Sequence, residues 1–163
     1  YLMIDTPNTI SISLSLFKNN EHKSIEKKDI QYLVQSARQQ IASGHPDKNI
    51  IHIIINNYKV NDIDYEHLPQ DIICKKLSID VEFICLPKYL VKSFEDLFSN
   101  HQISIDKFIC TNYAKSFEQS IECSNIREIG IKLGKGLNKQ EVVIISKKLE
   151  KKGFFEKLFH FFK

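Results

Sequence analysis

Apolar and polar residues alternate without a break from Ile10 to Leu16, with Ile and Leu on one side and Ser on the other. This period of two is typical of a half-buried β-strand. Asn49 to Ile55 is almost continuously aliphatic, which favours a strand buried on both faces. Ile79 to Leu86 alternates again and predicts another strand, with Ile72 to Leu77 as its hairpin partner. Ile105 to Thr111 is predicted to be a further strand.

Between these strands the apolar residues recur every three or four positions, which predicts helices. The helices are expected at about Glu26 to Ala42, Lys88 to Asn100 and Tyr113 to Ile121. Ser24 is the expected N-cap of the first helix, and the Ser-Gly-His-Pro segment at 43–46 contains the usual stop signals.

Polar or glycine-containing segments predict the connections. Lys18 to Lys23 is predicted to be a loop, and Asn56 to Gln70 a loop or a short edge strand. Gly130, Gly134 and Gly136 mark another predicted loop. The element order β-α-β-β-α-β-α predicts an α+β fold, a small sheet that carries its helices on one face.

The final segment, 153–163, has a different pattern. At about 100° per residue its apolar side chains fall within one arc, and its polar side chains take the other side. This predicts a short amphipathic helix that lies in a membrane interface. The residues expected to insert are Phe154, Phe155, Leu158, Phe159, Phe161 and Phe162.

Positive charge is concentrated beside this apolar arc. Residues 147–163 contain six Lys and two Glu, a net +4, whereas the whole chain is +3 and the remainder therefore −1. Each lysine near an anionic lipid surface adds roughly 1 kcal/mol of attraction. The residues expected to meet headgroups are Lys147, Lys148, Lys151, Lys152 and Lys157. The alternative is a terminal helix that packs on its own core or in a partner's groove.

Composition and cysteine spacing narrow the class of protein further. A length of 163 residues suits one domain with a tail. No C-x-x-C pair occurs, so we expect no zinc site and read the cysteines as reduced thiols of a cytoplasmic protein. No signal peptide is recognisable, and no apolar run approaches the ~20 residues that span a bilayer. The cysteines are Cys74, Cys85, Cys110 and Cys123.

No catalytic, cofactor or metal constellation emerges, so we do not expect an enzyme. The glycine-containing segment lacks the G-K-[ST] ending of a phosphate loop, and neither H-E-x-x-H nor G-x-S-x-G occurs. His52, inside a predicted buried strand, is expected to bond a backbone group.

The carboxylates of Asp62, Asp64, Glu66 and Asp71 favour a solvated acidic loop, which could also be a partner surface. The aromatics of the basic tail fill one helical face, which favours lipid over nucleic acid.

These elements, in this order, resemble the FtsA family of bacterial cell-division proteins at its inserted subdomain 1C, an SHS2-type unit. Residues 1–3 and the alternating strand resemble the entry strand, and 29–38 resembles the helix pattern D-[IV]-x-x-[VL]-V-x-x-A. Residues 50–60 are similar to the family's "hxhIPxxYxhD" strand without its proline. Residues 77–85 resemble the next strand, and residues 103–110 resemble the step that ends the subdomain. The basic, amphipathic tail is also similar to that of the family.

The resemblance implies an α+β domain at 1–122, a connector and basic linker at 123–152, and a membrane-targeting helix at 153–163. It implies a membrane-associated division adaptor, peripheral on the inner face of the cell membrane. The implied partners are an anionic membrane surface and division proteins or other copies of the chain. The family's phosphate loops are not present, so we expect no ATP or other cofactor. We expect a fragment, an internal deletion or a degenerate relative.

Overall fold

The computed structural model describes residues 1–69, 72–119 and 125–142. Their order is strand, strand, helix, three strands, helix, strand and two helices. The elements are β1 (Leu2–Ile4), β2 (Ile10–Ser24), α1 (Lys27–Gly44), β3 (Lys48–Val60), β4 (Ile63–Tyr65), β5 (Ile73–Pro87), α2 (Lys88–Ser99), β6 (Phe108–Cys110), α3 (Thr111–Lys115) and α4 (Ile126–Gly134).

The main sheet has four antiparallel strands in the order β2-β5-β3-β4. The central strand β5 pairs along its length with both β2 and β3, so that Phe83 lies opposite Ile12 on one side and Ile53 on the other. A second, two-stranded sheet pairs β1 with β6 in parallel, with Leu2 opposite Phe108. The core therefore forms around β5 and β3.

The first face of the main sheet is covered by α1. Four buried residues on one side of this helix pack into one cluster with buried residues of β3 and β5. They are Leu33, Val34, Ala37 and Ile41. The predicted helix is confirmed, but its N-cap is Glu26 and not Ser24. The Glu26 N–H donates to Asp29 Oδ2 at 2.9 Å, because an acidic residue in the first turn satisfies an otherwise unpaired donor.

The second face carries α3 and α4. Ile54 and Ile84 point away from α1 and pack with Ile109, Ala114 and Leu133. The predicted arrangement with helices on one face is therefore wrong. Successive residues of β3 alternate between the two faces, so its aliphatic run supplies apolar surface to both of them. At one end of the sheet, α2 packs through Val91 against β1 and β6.

Two strands are longer than predicted. The predicted hairpin of 72–77 with 79–86 is wrong, because both segments belong to the single strand β5. The predicted loop at 18–23 is part of β2, which follows β5 to Asn19, changes register, and pairs again at Lys23. The segment 56–70 supplies the end of β3 and a short edge strand, β4, as one predicted alternative had it.

Two elements near the carboxyl side are shorter than predicted. The strand predicted at 105–111 is limited to β6, and the third helix, α3, ends at Lys115. The second helix is confirmed over nearly its predicted length as α2.

The glycine loop predicted around 130–136 is wrong, because Gly130 and Gly134 lie in helix α4. Asn125 caps this helix, its side chain accepting a hydrogen bond from the Arg127 N–H at 2.9 Å. A Cβ at Gly130 would lie 2.5 Å from Met3 Sδ, and one at Gly134 equally close to the ring of Tyr1. These glycines therefore allow α4 to approach the amino-terminal strand.

Candidate functional site

The eleven residues predicted to bind a membrane lie outside the described residues. They are Phe154, Phe155, Leu158, Phe159, Phe161, Phe162, Lys147, Lys148, Lys151, Lys152 and Lys157. The membrane site therefore stays a prediction. Within the part of the chain that the structure describes, no helix has both the length and the apolar character needed to cross a bilayer.

Two carboxylates of the acidic segment after β3 have separate partners. Asp62 lies in a turn with a left-handed backbone, φ 68°, and pairs with Lys76 at 3.8 Å. Asp64, in β4, accepts a hydrogen bond from Asn57 at 2.7 Å, which lowers the pKa of its carboxyl. Asp71 lies outside the described residues. Among residues 1–69, 72–119 and 125–142, no group of three His, Cys, Asp or Glu could hold a metal ion.

A buried polar cluster joins β3 to the segment after α4. It consists of His52, Lys107, Tyr113, Asn138 and Glu141. His52 Nε2 accepts a hydrogen bond from the Cys110 N–H at 3.0 Å, which confirms the predicted backbone bond. Since Nε2 is an acceptor, the ring proton is on Nδ1, which donates to Glu141 Oε1 at 2.8 Å.

Glu141 is the charged centre of this polar cluster, and its side chain is 3% exposed. Burial alone would raise its pKa. The hydrogen bonds from His52 and from Lys107, whose Nζ lies 2.8 Å from Oε1, outweigh burial and hold the pKa below its usual value. Burial, together with the neighbouring carboxylate, raises the pKa of Tyr113, so its hydroxyl stays protonated and donates to Glu141 Oε2 at 3.2 Å.

The polar cluster attaches the chain after α4 to the outer edge of β3. Ile55 N–H donates to the Gln140 carbonyl at 3.0 Å, and Val142 N–H donates to the Ile53 carbonyl at 2.8 Å. The functional groups of the cluster bond to one another, so their arrangement suits fixing a segment and not activating a nucleophile. Glu141 was not among the residues predicted from the sequence. The feature that could have indicated it in the sequence is a single carboxylate directly before the apolar run 142–145.

A groove of about 610 Å³ lies on the second face, between the β1–β2 connection, the sheet and α3. We call it the Glu82 groove. Glu82 Oε1 accepts a hydrogen bond from the Ser11 hydroxyl, and Oε2 accepts one from Asn56 at 3.3 Å. Apolar residues Ile84 and Phe117 also line it. Such a mixture of amide, hydroxyl and apolar groups suits a peptide segment.

The three described cysteines, Cys74, Cys85 and Cys110, are buried free thiols. Burial raises the pKa of Cys85 to about 11, so the reactive thiolate is scarce at neutral pH. Their reduced state agrees with the prediction for these three residues. Cys123 lies outside the described residues.

Residues 8–85 match the family described as the SHS2 domain inserted in FTSA. The matched segment runs from just before β2 into β5 and covers a little under half of the chain. The match and the mostly antiparallel sheet support an SHS2/FtsA-like domain at these positions. No curated protein sequence matches the chain.

Proposed function

We propose that this chain is a membrane-associated adaptor of bacterial cell division. In this proposal the SHS2/FtsA-like domain is a protein-interaction unit, and residues 153–163 tether it to the inner face of the cytoplasmic membrane. The observation that carries the division role is the match of residues 8–85 to the SHS2 domain inserted in FTSA. The amphipathic, lysine-flanked pattern of the tail supports the tether.

The described part of the molecule supports interaction more than catalysis. Its most buried charged groups, Glu141 and Asp29, are each held by a cation and further hydrogen bonds. The Glu82 groove offers hydrogen-bonding groups beside apolar surface, which is how peptide-binding clefts combine affinity with orientation. A surface of this kind can hold a partner segment without any chemical step.

The tether is tested on the full chain with the double variant Phe155→Asp and Phe159→Asp. Burying one Phe side chain contributes about 1.5–3 kcal/mol, so replacing two with carboxylates is expected to abolish binding to anionic vesicles. The measurement is co-sedimentation with vesicles of anionic or neutral lipid, at low and high salt. We expect binding that needs anionic lipid and weakens with salt.

The matched control is Tyr32→Asp with Tyr89→Asp, which adds the same charge at two exposed aromatics of the domain, 63% and 64% exposed. This control is expected to pellet as the wild type does. Pelleting of the Phe155→Asp, Phe159→Asp variant at the wild-type level would show that the tail does not insert.

The division role is tested separately by imaging a fluorescent fusion of the full chain in dividing cells that carry the gene. We expect enrichment at the division site, with residues 153–163 needed for membrane position. A uniform distribution in dividing cells would contradict the adaptor role even if vesicle binding were found.

The second candidate is an interaction domain whose terminal helix packs on its own core or in a partner's groove. One observation favours it. Val142 lines a groove of about 500 Å³ with apolar walls from Ile51, Ile53 and Phe108. Two acidic residues, Glu95 and Asp106, and two basic residues, Arg38 and Lys107, also line this groove. If the helix packs there, a chain ending at Lys152 will unfold at lower denaturant concentration than the full chain. A membrane helix would be dispensable.

A further inference from the structure

The two edges of the main sheet differ in whether another segment pairs with them. The outer edge of β3 is covered by β4 at residues 58–60 and by residues 140–142 beside Ile54. The other edge is β2, which pairs with β5 on one side, and no strand of the described residues pairs with its other side. Backbone donors and acceptors along an open edge are a template for another strand.

The usual protections of an open edge are missing from the first half of β2. Edge strands are normally guarded by charged residues, proline or a bulge. The segment Thr9 to Phe17 contains no charged residue and no proline. Its pairing with β5 continues without a register shift as far as Asn19, and the irregularity comes only between Asn19 and Lys23. Residues 10–16 therefore form a regular, uncharged edge.

Apolar surface lies beside this open edge. The side chains of Ile10, Ile12, Leu14 and Leu16 contact the core on the first face but are only partly buried. The serines between them, Ser11, Ser13 and Ser15, are exposed on the second face. A strand added at this edge would cover the row of aliphatic side chains and pair the backbone in one step.

We propose that β2 is a self-association edge, at which two copies of the chain pair β2 with β2 in antiparallel orientation. The argument for a second copy is the symmetry of the sequence itself. With Ser13 opposite Ser13, Ile10 lies opposite Leu16, Ile12 opposite Leu14, and Ser11 opposite Ser15. Each aliphatic residue meets an aliphatic residue on one face and each serine meets a serine on the other.

Electrostatics permit this twofold pairing. The carboxylates that contact residues 10–16, Asp80 and Glu82, lie on β5 and accept hydrogen bonds from Ser15 and Ser11 of their own chain. Carboxylates of the two copies would be three strand spacings apart, roughly 14 Å. This exceeds the screening length of about 8 Å at physiological salt. The product is one continuous sheet with an isologous interface.

This inference names one partner for the interaction role proposed above. Its test contains no lipid, so that its failure and the failure of the membrane tether are distinguishable. Sedimentation velocity of the full chain over a concentration series is expected to show a monomer–dimer equilibrium. Ser13→Lys places two like charges opposite each other across the twofold axis, and we expect at least a tenfold weaker dimer. Ser93→Lys, an exposed serine on α2, is the matched control and is expected to dimerise as the wild type does.

Mixing makes the test specific for position 13. Ser13→Lys and Ser13→Glu are each expected to dimerise at least tenfold more weakly than the wild type, and an equimolar mixture is expected to recover dimerisation, because Lys then faces Glu. Ser13→Cys is expected to form an oxidised covalent dimer, with Ser93→Cys and the wild type as background. Three results would overturn the proposal: a wild type that stays monomeric at high concentration, a Ser13→Lys dimer of wild-type strength, or association lost on removal of residues 153–163.

Discussion

The two faces of the main sheet are covered by different kinds of interaction. On the first face, α1 connects β2 to β3 and buries an apolar cluster that includes Leu33 and Phe83. On the second face, the cover comes from distant parts of the chain, β1, β6, α3 and α4, and includes the buried hydrogen bond between His52 and Glu141. The first face is built almost entirely within the matched residues 8–85, whereas the second needs segments outside them. Stability should therefore depend on packing at the first face and on polar partners at the second.

The largest effect is expected from Phe83→Ala, because Phe83 is fully buried at the centre of the sheet. Loss of a buried Phe side chain removes about 3–5 kcal/mol of unfolding free energy through lost transfer energy and the remaining cavity. The measurement is urea unfolding followed by circular dichroism. Phe17→Ala is the control, since Phe17 is 65% exposed, and a change within about 0.5 kcal/mol is expected. Equal losses for the two variants would contradict the described core.

The second face is tested by Glu141→Ala, which leaves the His52 Nδ1–H and the Lys107 ammonium without their shared acceptor. Removing one partner of a buried charged group costs about 2–4 kcal/mol. Glu95→Ala, at an exposed position of α2, controls for loss of a carboxylate and is expected to change little. If Glu141→Ala unfolds at the wild-type urea concentration, the polar cluster does not stabilise the second face.

Acid is expected to weaken the second face selectively. The pKa of Glu141 in the folded chain lies below its ordinary value of 4.5, so its stabilising contribution is complete above that pH and is lost as the pH falls below it. Glu141→Gln does not titrate and is expected to lose less stability between about pH 5.5 and pH 3.

Asp29, at the first face, is present in both proteins, so its own titration cancels in this comparison. Burial raises its pKa, but hydrogen bonds from Lys18 and the Glu26 N–H give a net lowering. The difference in unfolding free energy between the wild type and Glu141→Gln should therefore shrink as the pH falls from about 5.5 to 3. Parallel pH curves would show that Glu141 is not paired in the folded chain.

The smallest effect is expected from Gly130→Ala in α4. The substitution gains about 1 kcal/mol of helix propensity, which the close contact with Met3 Sδ offsets. We expect little net change in the midpoint of thermal unfolding. In a Met3→Ala background the contact is gone, and Gly130→Ala is expected to be stabilising relative to Met3→Ala alone. The same effect in both backgrounds would mean that α4 does not pack against β1.

The sequence predicts the first face better than the second because the first face is made by local periodicity. The stripe of α1 and the alternation of β2 are visible in the chain, and the structure confirms both. The central strand β5 was divided wrongly at Ser78, where polar residues reflect an exposed face and not a turn. The glycines of α4 permit close packing against the amino-terminal residues, but in the sequence they look like the glycines of a loop. Glu141 could not be assigned because its partners lie 89 and 34 residues away.

The parallel pairing of β1 with β6 has a consequence for how the unit can be carried by another protein. Leu2 lies opposite Phe108, and the Leu2 N–H donates to the Lys107 carbonyl at 3.0 Å. Strand β1, where this segment of the chain begins, and strand β6, where it ends, are therefore side by side, about 4.8 Å apart. A host chain could carry the segment from β1 to β6 as an insertion without spreading its ends, provided that the host also covers the second face, which α3 and α4 cover here.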